Sequence, residues 1–191
     1  EGGINAFNLL HAIRNLQLTM TMERVNIPGK PFLALVNFKN IPVLHIRLIK
    51  ADTAALTDFE GYDYENKFKK LTAAPAIRAW TQPLPDTRDF QQHSVEIKID
   101  ALPIGDYILL AGTDEAFRDG HTILAARLFH VSNLSFIEKS NHYFVLDRDS
   151  GRPVAGAAVQ LWRHNYNNST RKYEYVKHTF HKTDANGQFR P

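Results

Sequence analysis

The stretch DRDSGRPVAGAAVQLW at residues 147–162, together with TDANGQF at residues 183–189, decides the fold class of this chain. In the first segment, Asp149 can hydrogen-bond its own backbone and Gly151 can take a positive φ, which is typical of a tight turn. In the second segment, the Asn-Gly pair that ends at Gly187 predicts a hairpin turn before a returning strand. The two turns, with apolar runs of strand length between them, indicate antiparallel β-structure.

Strands of the same kind precede this stretch. Residues 16–22 and 93–99 alternate apolar and polar side chains, which predicts strands with one buried face. Turns rich in proline and glycine separate the apolar segments. In all, seven strands are predicted, over residues 16–22, 32–38, 43–51, 77–82, 93–99, 106–113 and 122–131. This count and spacing are typical of an antiparallel β-sandwich.

Two short helices interrupt the strand pattern. A stripe at helix period predicts the first one, and it consists of Ile4, Phe7, Leu10 and Ile13. Asp63 can cap a second helix over residues 64–71, with Phe68 and Leu71 facing inward. The predicted fold is therefore all-β, a tandem of antiparallel β-sandwich modules with an N-terminal helix and an inserted helix.

Three segments follow from these patterns. Residues 1–15 form a helical lead-in, residues 16–132 a complete β-sandwich, and residues 133–191 a second sandwich. About four strands are predicted in the second sandwich, over residues 134–139, 142–147, 157–163 and 172–181. Since sandwiches of this type have about seven strands, we expect the second module to be truncated or completed elsewhere.

Composition excludes several classes of function. The chain has no cysteine, so disulfide scaffolds, zinc–cysteine sites and thiol catalysis are excluded. Its net charge is +3 and no long run of basic residues occurs, which argues against a nucleic-acid partner. No stretch approaches the roughly 18 apolar residues of a membrane-spanning helix.

The turn motifs at residues 147–162 and 183–189 resemble those of immunoglobulin-like and prealbumin-like modules in bacterial surface proteins. Further segments resemble macroglobulin modules of the bacterial alpha-2-macroglobulin family, and the resemblance spans most of the chain after Leu16. These segments are PFLAL at 31–35, LHIRLIK at 44–50, LPDTRDF at 84–90, HSVEI at 93–97 and LPIGDY at 102–107.

This resemblance implies a scaffold fragment of a large protein related to protease-trapping inhibitors. It places the chain outside the cytoplasm, in the periplasm, anchored to the outer membrane or at the cell surface. The implied partners are other macroglobulin modules of the same parent chain and target proteases. Because the chain lacks cysteine, no residue of the thioester that some family members carry can be assigned here. The resemblance implies no enzyme activity and no cofactor.

Candidate metal ligands have simpler explanations. His178 and His181 are three residues apart, so on a regular strand they point to opposite faces. A group of oxygen donors, Asp147, Asp149, Asp184 and Asn186, could bind calcium, but its spacing differs from an EF-hand loop. Turn chemistry accounts for each of those residues. We therefore expect no metal site.

Candidate catalytic residues are equally weak. The carboxylates of Asp86, Asp89 and Glu96 could be read as an acid–base pair for glycoside hydrolysis. They lie in or beside a turn-rich connection, which favours solvated side chains. Ser94 and Ser135 lack the context of a nucleophile. We expect no catalytic residue in this chain.

One group of aromatic residues indicates a binding surface. The group is Trp162, Tyr166, Tyr173 and Tyr175. Tyr173 and Tyr175 lie on one strand face, and an exposed aromatic row would suit stacking on sugars or on a protein partner. In a small sandwich we expect half of these side chains to be in the core. The resemblance to prealbumin-like modules implies an alternative function, a carbohydrate- or ligand-binding adhesin or surface-receptor module of the prealbumin-like type.

Overall fold

The computed structural model describes residues 2–52 and 64–191. The chain divides into two compact units, one ending at Val131 and one spanning Ser132–Pro191. The prediction of an all-β fold with two short helices is confirmed. Asp63, the expected cap of the second helix, lies outside the described residues.

The first unit contains two helices and eight strands in the described residues. They are α1 (Gly2–Arg14), β1 (Gln17–Met22), β2 (Val25–Asn26), β3 (Phe32–Lys39), β4 (Val43–Ala51), α2 (Tyr64–Ala73), β5 (Ala76–Pro83), β6 (His93–Ile99), β7 (Gly105–Gly112) and β8 (Leu124–Val131). The two-residue strand β2 is too short for a periodic pattern, and the sequence did not predict it.

These strands form two sheets. One has the order β1-β3-β6 and the other the order β2-β8-β7-β4-β5, with antiparallel pairing except between β2 and β8. Buried and exposed residues alternate along β1, β3 and β6, so one face of the smaller sheet is buried. There it packs against the larger sheet in a shared core that includes Val36, Leu48 and Phe129. The unit is a β-sandwich.

The outer face of the larger sheet is also covered. Phe68 and Leu71 of α2 are buried as predicted, and Leu71 shares a second core with Ile108 and Leu110 of β7. Strand β7 is therefore buried on both sides, which explains why its sequence is a continuous apolar run instead of an alternating one.

Arg47 of β4 connects α2 to the loop that follows β7. Its guanidinium donates hydrogen bonds to the carbonyl oxygens of Thr72, at 3.0 Å, and Glu115, at 3.2 Å. The same group lies 4.3 Å from the centroid of the buried Phe117 ring. A cation over an aromatic face adds electrostatic attraction to these bonds.

Helix α1 is attached through its C-terminal end. The Asn40 side chain donates hydrogen bonds to the carbonyl oxygens of Ile13, at 2.9 Å, and Asn15, at 3.0 Å. These are carbonyl groups that a helix end leaves without intrahelical partners. The apolar residues of the predicted stripe, Ile4, Phe7 and Leu10, are exposed in this structure.

The second unit contains five strands, β9 (Leu134–Lys139), β10 (His142–Asp147), β11 (Ala158–Asn167), β12 (Lys172–Lys182) and β13 (Gln188–Phe189). One sheet has the order β13-β10-β9, and β11 and β12 form a separate two-stranded sheet. The short strand β13 is the returning strand predicted after Gly187. A small core forms around Val145 and Phe189, where the rings of Tyr143 and Phe189 stack at 5.1 Å.

Candidate functional site

The hairpin formed by β11 and β12 carries the candidate binding surface. Its register pairs Trp162 with Lys177, His164 with Tyr175, and Tyr166 with Tyr173. Alternate residues of one strand share a face, and directly paired residues of antiparallel strands lie on the same face. All six side chains therefore lie on one face of the hairpin, which we call the aromatic face.

Ring contacts connect the middle and the tip of this face. The His164 ring lies 4.6 Å from the Tyr175 ring in a stacked arrangement and 4.8 Å from the Tyr173 ring. Tyr173 in turn meets Tyr166 edge to face at 5.1 Å. Offset stacks and edge-to-face pairs at such distances are the favourable geometries for aromatic rings. The side chains thus support one another as a connected row.

The other end of the aromatic face is formed by Trp162 and Lys177. The Lys177 Nζ lies 5.7 Å from the centroid of the Trp162 ring, within the range of a cation–π interaction. This places a positive charge beside the largest aromatic surface of the hairpin. The face therefore combines apolar rings, polar edges and a cation.

The aromatic face is open to solvent. Exposed fractions are 52% for Trp162, 50% for Tyr166, 65% for Tyr173 and 55% for Tyr175. The expectation that half of these side chains would be in the core is wrong in this structure. The hairpin is a separate two-stranded sheet, and this face of it is not part of a buried core.

The sequence pattern placed Tyr173 and Tyr175 together but did not bring His164 and Lys177 to them. Within its own strand, each residue shares a face with the aromatic residues, since His164 alternates with those at 162 and 166 and Lys177 with those at 173 and 175. Which positions of the two strands are opposite one another depends on the length of the connecting turn. The register decided this, and no local pattern revealed it.

The turn of the hairpin is held by side chains. The Asn167 Oδ1 accepts a hydrogen bond from the N–H of Ser169 at 2.9 Å, and its Nδ2 donates to Glu174 at 3.0 Å. The Thr170 hydroxyl donates to the same carboxylate at 2.7 Å. Asn at the start of a turn commonly bonds its own backbone in this way. These bonds fix the end of the hairpin next to Tyr166 and Tyr173.

The carboxylates considered for acid–base chemistry do not form such a site. Asp86 pairs with Arg88 at 2.8 Å, and Asp89 pairs with His93 at 2.9 Å. The hydrogen bond from His93 is the main cause that lowers the pKa of Asp89 to about 2. A general acid needs a pKa raised toward the working pH, so this shift has the wrong direction. Glu96 is exposed on β6.

The Thr87 hydroxyl also lies 2.9 Å from His93, but it approaches the same nitrogen, Nε2, as Asp89 does. A nucleophile–base–acid relay needs one partner on each ring nitrogen. This cluster is therefore a network that stabilises the loop.

The candidate metal ligands are engaged in local bonds. The Asp147 Oδ1 accepts from the N–H and the hydroxyl of Ser150, and Asp184 accepts from the N–H groups of Asn186 and Gln188. The hydrogen bonds from Ser150 lower the pKa of Asp147, with the Ser150 hydroxyl contributing most. His178 accepts a hydrogen bond from Arg163 at 2.8 Å. In residues 2–52 and 64–191, no group of three His, Asp or Glu side chains could hold a metal ion.

Sequence comparison gives no relative, since neither a protein-family model nor a curated protein matches the chain significantly. Structure comparison does. A crystal structure of native alpha-2-macroglobulin from Escherichia coli, spanning domains MG0-NIE-MG1, aligns with 92% of this chain at a TM-score of 0.60 and 16% identity. The chain has the fold of bacterial alpha-2-macroglobulin domains. It covers 57% of that solved chain, so it spans little more than half of the structure it resembles.

Two further solved structures align less closely. Salmonella alpha-2-macroglobulin reacted with methylamine aligns with 93% of this chain and 15% of its own at 7% identity and a TM-score of 0.36. The CARDB domain of a Pyrococcus furiosus protein, in complex with di-metal ions, aligns with 61% of this chain and 92% of its own at 15% identity and a TM-score of 0.35. Neither α1 nor α2, the helices within residues 2–52 and 64–191, has the length and hydropathy of a membrane-spanning segment.

Proposed function

We propose that this chain is a structural scaffold segment of a bacterial alpha-2-macroglobulin-like protein that traps or inhibits proteases at the cell envelope. The observation that supports this proposal is the alignment of 92% of the chain, covering both units, with one segment of the Escherichia coli protein. The segments that resemble macroglobulin modules in sequence, among them residues 31–35 and 102–107, are structural parts of the first sandwich.

Those segments have clear structural roles. Tyr107 is fully buried, its ring stacks on Phe129 at 5.6 Å, and its hydroxyl donates a hydrogen bond to the carbonyl oxygen of Pro103 at 2.9 Å. A Cβ atom at Gly105 would lie 3.3 Å from that hydroxyl. The sequence LPIGDY thus builds a corner of the sandwich. Residues that only build structure are what a scaffold requires.

In this proposal the chain contributes shape and no chemistry. Protease inhibition would be steric, with rigid β-sandwich modules enclosing the protease. The double-sided core of the first unit suits such a role, because densely packed interiors resist deformation. The partners would be neighbouring modules of the same protein and the enclosed protease, and the location would be outside the cytoplasm.

An inhibition assay with two substrates tests this function. The natural protein containing this segment is incubated with a serine protease, and cleavage of a large protein substrate is compared with cleavage of a small peptide. Steric enclosure predicts a strong loss of activity on the large substrate and little loss on the peptide. Equal loss on both would indicate an active-site inhibitor, and no loss on either would contradict the proposal. Cell fractionation checks the location.

A second function is favoured by the exposed aromatic face. Rings that are half or more exposed and lie together on one face of a hairpin are suited to a carbohydrate ligand. Under this alternative the chain is a carbohydrate-binding surface module. A glycan array separates the two functions, since specific binding that depends on Trp162 would support the module.

A further inference from the structure

The net positive charge of the chain is located on the hairpin that carries the aromatic face. Residues 158–182 hold five Lys and Arg residues against one acidic residue, a net charge of +4. The whole chain has 23 basic and 20 acidic residues, which leaves 18 and 19 outside the hairpin and a net charge of −1 there. The excess basic charge of this protein is therefore located on one supersecondary element.

Part of this charge lies beside the aromatic rings. Lys177 lies on the aromatic face itself, and Arg171 is exposed in the turn at the tip. Arg163 is exposed on the opposite face, paired with Val176. A surface with exposed rings and an excess of cations attracts ligands that have both apolar faces and negative charges.

From this combination we infer that the aromatic face binds an acidic polysaccharide, with sugar rings against Trp162 and the tyrosines and uronate carboxylates near Lys177. The inference rests on the carbohydrate-binding alternative proposed above and adds the charge of the ligand. It is compatible with the scaffold function, since the face lies on a single hairpin and uses no residue of the first unit.

The ring geometry favours sugars over single-stranded nucleic acid. Stacking of bases needs open aromatic faces. Here His164 lies against both Tyr173 and Tyr175, so part of each face in the middle of the row is already covered. The tyrosine hydroxyls and imidazole nitrogens along the row can instead hydrogen-bond sugar hydroxyls.

Binding is measured with the full 191-residue chain by titration calorimetry. The acidic probes are oligosaccharides of polygalacturonate, alginate, hyaluronan and chondroitin sulfate. The neutral probe is cellohexaose, and a single-stranded DNA oligonucleotide of matched charge is the third arm. We expect at least one acidic glycan to bind about tenfold or more tightly than cellohexaose, and its affinity to fall as NaCl rises from about 50 to about 500 mM.

Variants connect the binding to the face. Trp162→Ala or Tyr175→Ala is expected to weaken binding about tenfold, whereas Val176→Ala, on the opposite face, leaves it unchanged. Lys177→Gln and Arg163→Gln each remove one charge, and we expect the larger loss from Lys177→Gln because only Lys177 lies on the aromatic face. Thermal unfolding of each variant confirms that the hairpin remains folded.

The outcomes are distinguishable. Equal affinity for cellohexaose and the acidic glycans would overturn the inference and leave the carbohydrate-binding alternative standing. Absence of binding to every glycan would overturn both. Tighter binding of the DNA than of any glycan, or equal losses from the two charge variants, would also overturn the inference. The protease assay is independent of all these results.

Discussion

Thr183 and Ala157 bond each other through both backbone and side chain. The N–H of Thr183 donates to the carbonyl oxygen of Ala157 at 3.1 Å, while the Thr183 hydroxyl accepts from the N–H of Ala157 at 2.8 Å. The same buried hydroxyl donates to the carbonyl oxygen of Val154 at 2.6 Å. Thr183 therefore joins the two motifs that decide the fold class, one at 147–162 and one at 183–189.

Replacing Thr183 with valine should destabilise the second unit by about 1–3 kcal/mol, because partly buried backbone groups of Val154 and Ala157 would lose their hydroxyl partner. Thr183→Ser keeps the hydroxyl and should lose less. The measurement is urea unfolding followed by amide resonances of residues 132–191. If valine and serine variants were equally stable, the hydroxyl would have no role in joining the motifs.

Position 187 requires glycine for two reasons, its positive φ angle and the lack of space for a Cβ atom. Its φ is +70°, and a Cβ atom there would lie 2.5 Å from the carbonyl oxygen of Val145. Gly156 has a φ of +69° with nothing within 4 Å of a Cβ, so it is a matched control. Gly156→Ala should cost about 1–2 kcal/mol for the left-handed conformation.

Gly187→Ala adds overpacking to that conformational cost, and we expect a further loss of about 1–3 kcal/mol in the free energy of unfolding. The same urea experiment on both variants gives the difference directly. Similar losses for the two substitutions would mean that the backbone near Val145 moves aside easily.

The hydroxyl and the ring of Tyr107 make separate contributions to the stability of the first unit. Tyr107→Phe removes the hydrogen bond to Pro103 and should cost about 0.5–1.5 kcal/mol. Tyr107→Ala also empties the core beside Phe129 and should cost about 3–5 kcal/mol. The chain has two tryptophans, Trp80 in the first unit and Trp162 in the second. Fluorescence of Trp80 in a Trp162→Phe background reports unfolding of the first unit.

The interaction of Asp89 with His93 predicts a pH dependence. The pKa of Asp89 is lowered to about 2 in the folded chain, whereas the ordinary pKa of an aspartate is about 4. The ionised Asp89 therefore stabilises the folded chain at pH values above about 4. That contribution is lost as the pH falls from about 4 to about 2. The stability difference between the natural chain and Asp89→Asn should therefore narrow across this window.

The measurement is urea unfolding of both chains in the Trp162→Phe background, followed by Trp80 fluorescence, between about pH 2 and pH 6. The comparison cancels the contributions of the other acidic groups, among them Asp114, whose pKa is lowered mainly by the hydrogen bond from Arg118. A constant difference across the window would show that the Asp89–His93 bond does not form in solution.

Much of the fold was accessible to sequence reasoning because its cues are local. The strands over 43–51 and 93–99 have the predicted bounds, since alternation and apolar runs report directly on burial. The helix over 64–71 extends two residues further, to Ala73. Strand β2 was missed, because two residues carry no period.

The candidate site was only partly accessible. The pattern identified the aromatic residues and placed Tyr173 beside Tyr175, but it put half of the group in the core. Burial depends on what packs over a sheet, and that is a property of the assembled unit. The functions that composition excluded, such as thiol chemistry, needed no structure at all.

The sequence by itself determined the β-architecture, the turns and the kinds of side chain on the hairpin. Backbone preferences and the alternation of apolar and polar residues are local properties that can be read from neighbouring residues. The tertiary structure alone decided that Thr183 bonds Ala157 across 26 residues, that Gly187 lies against Val145, and that Trp162 and Lys177 share a face. These depend on register and on packing between distant segments, where the total free energy of the folded chain selects one pairing among many.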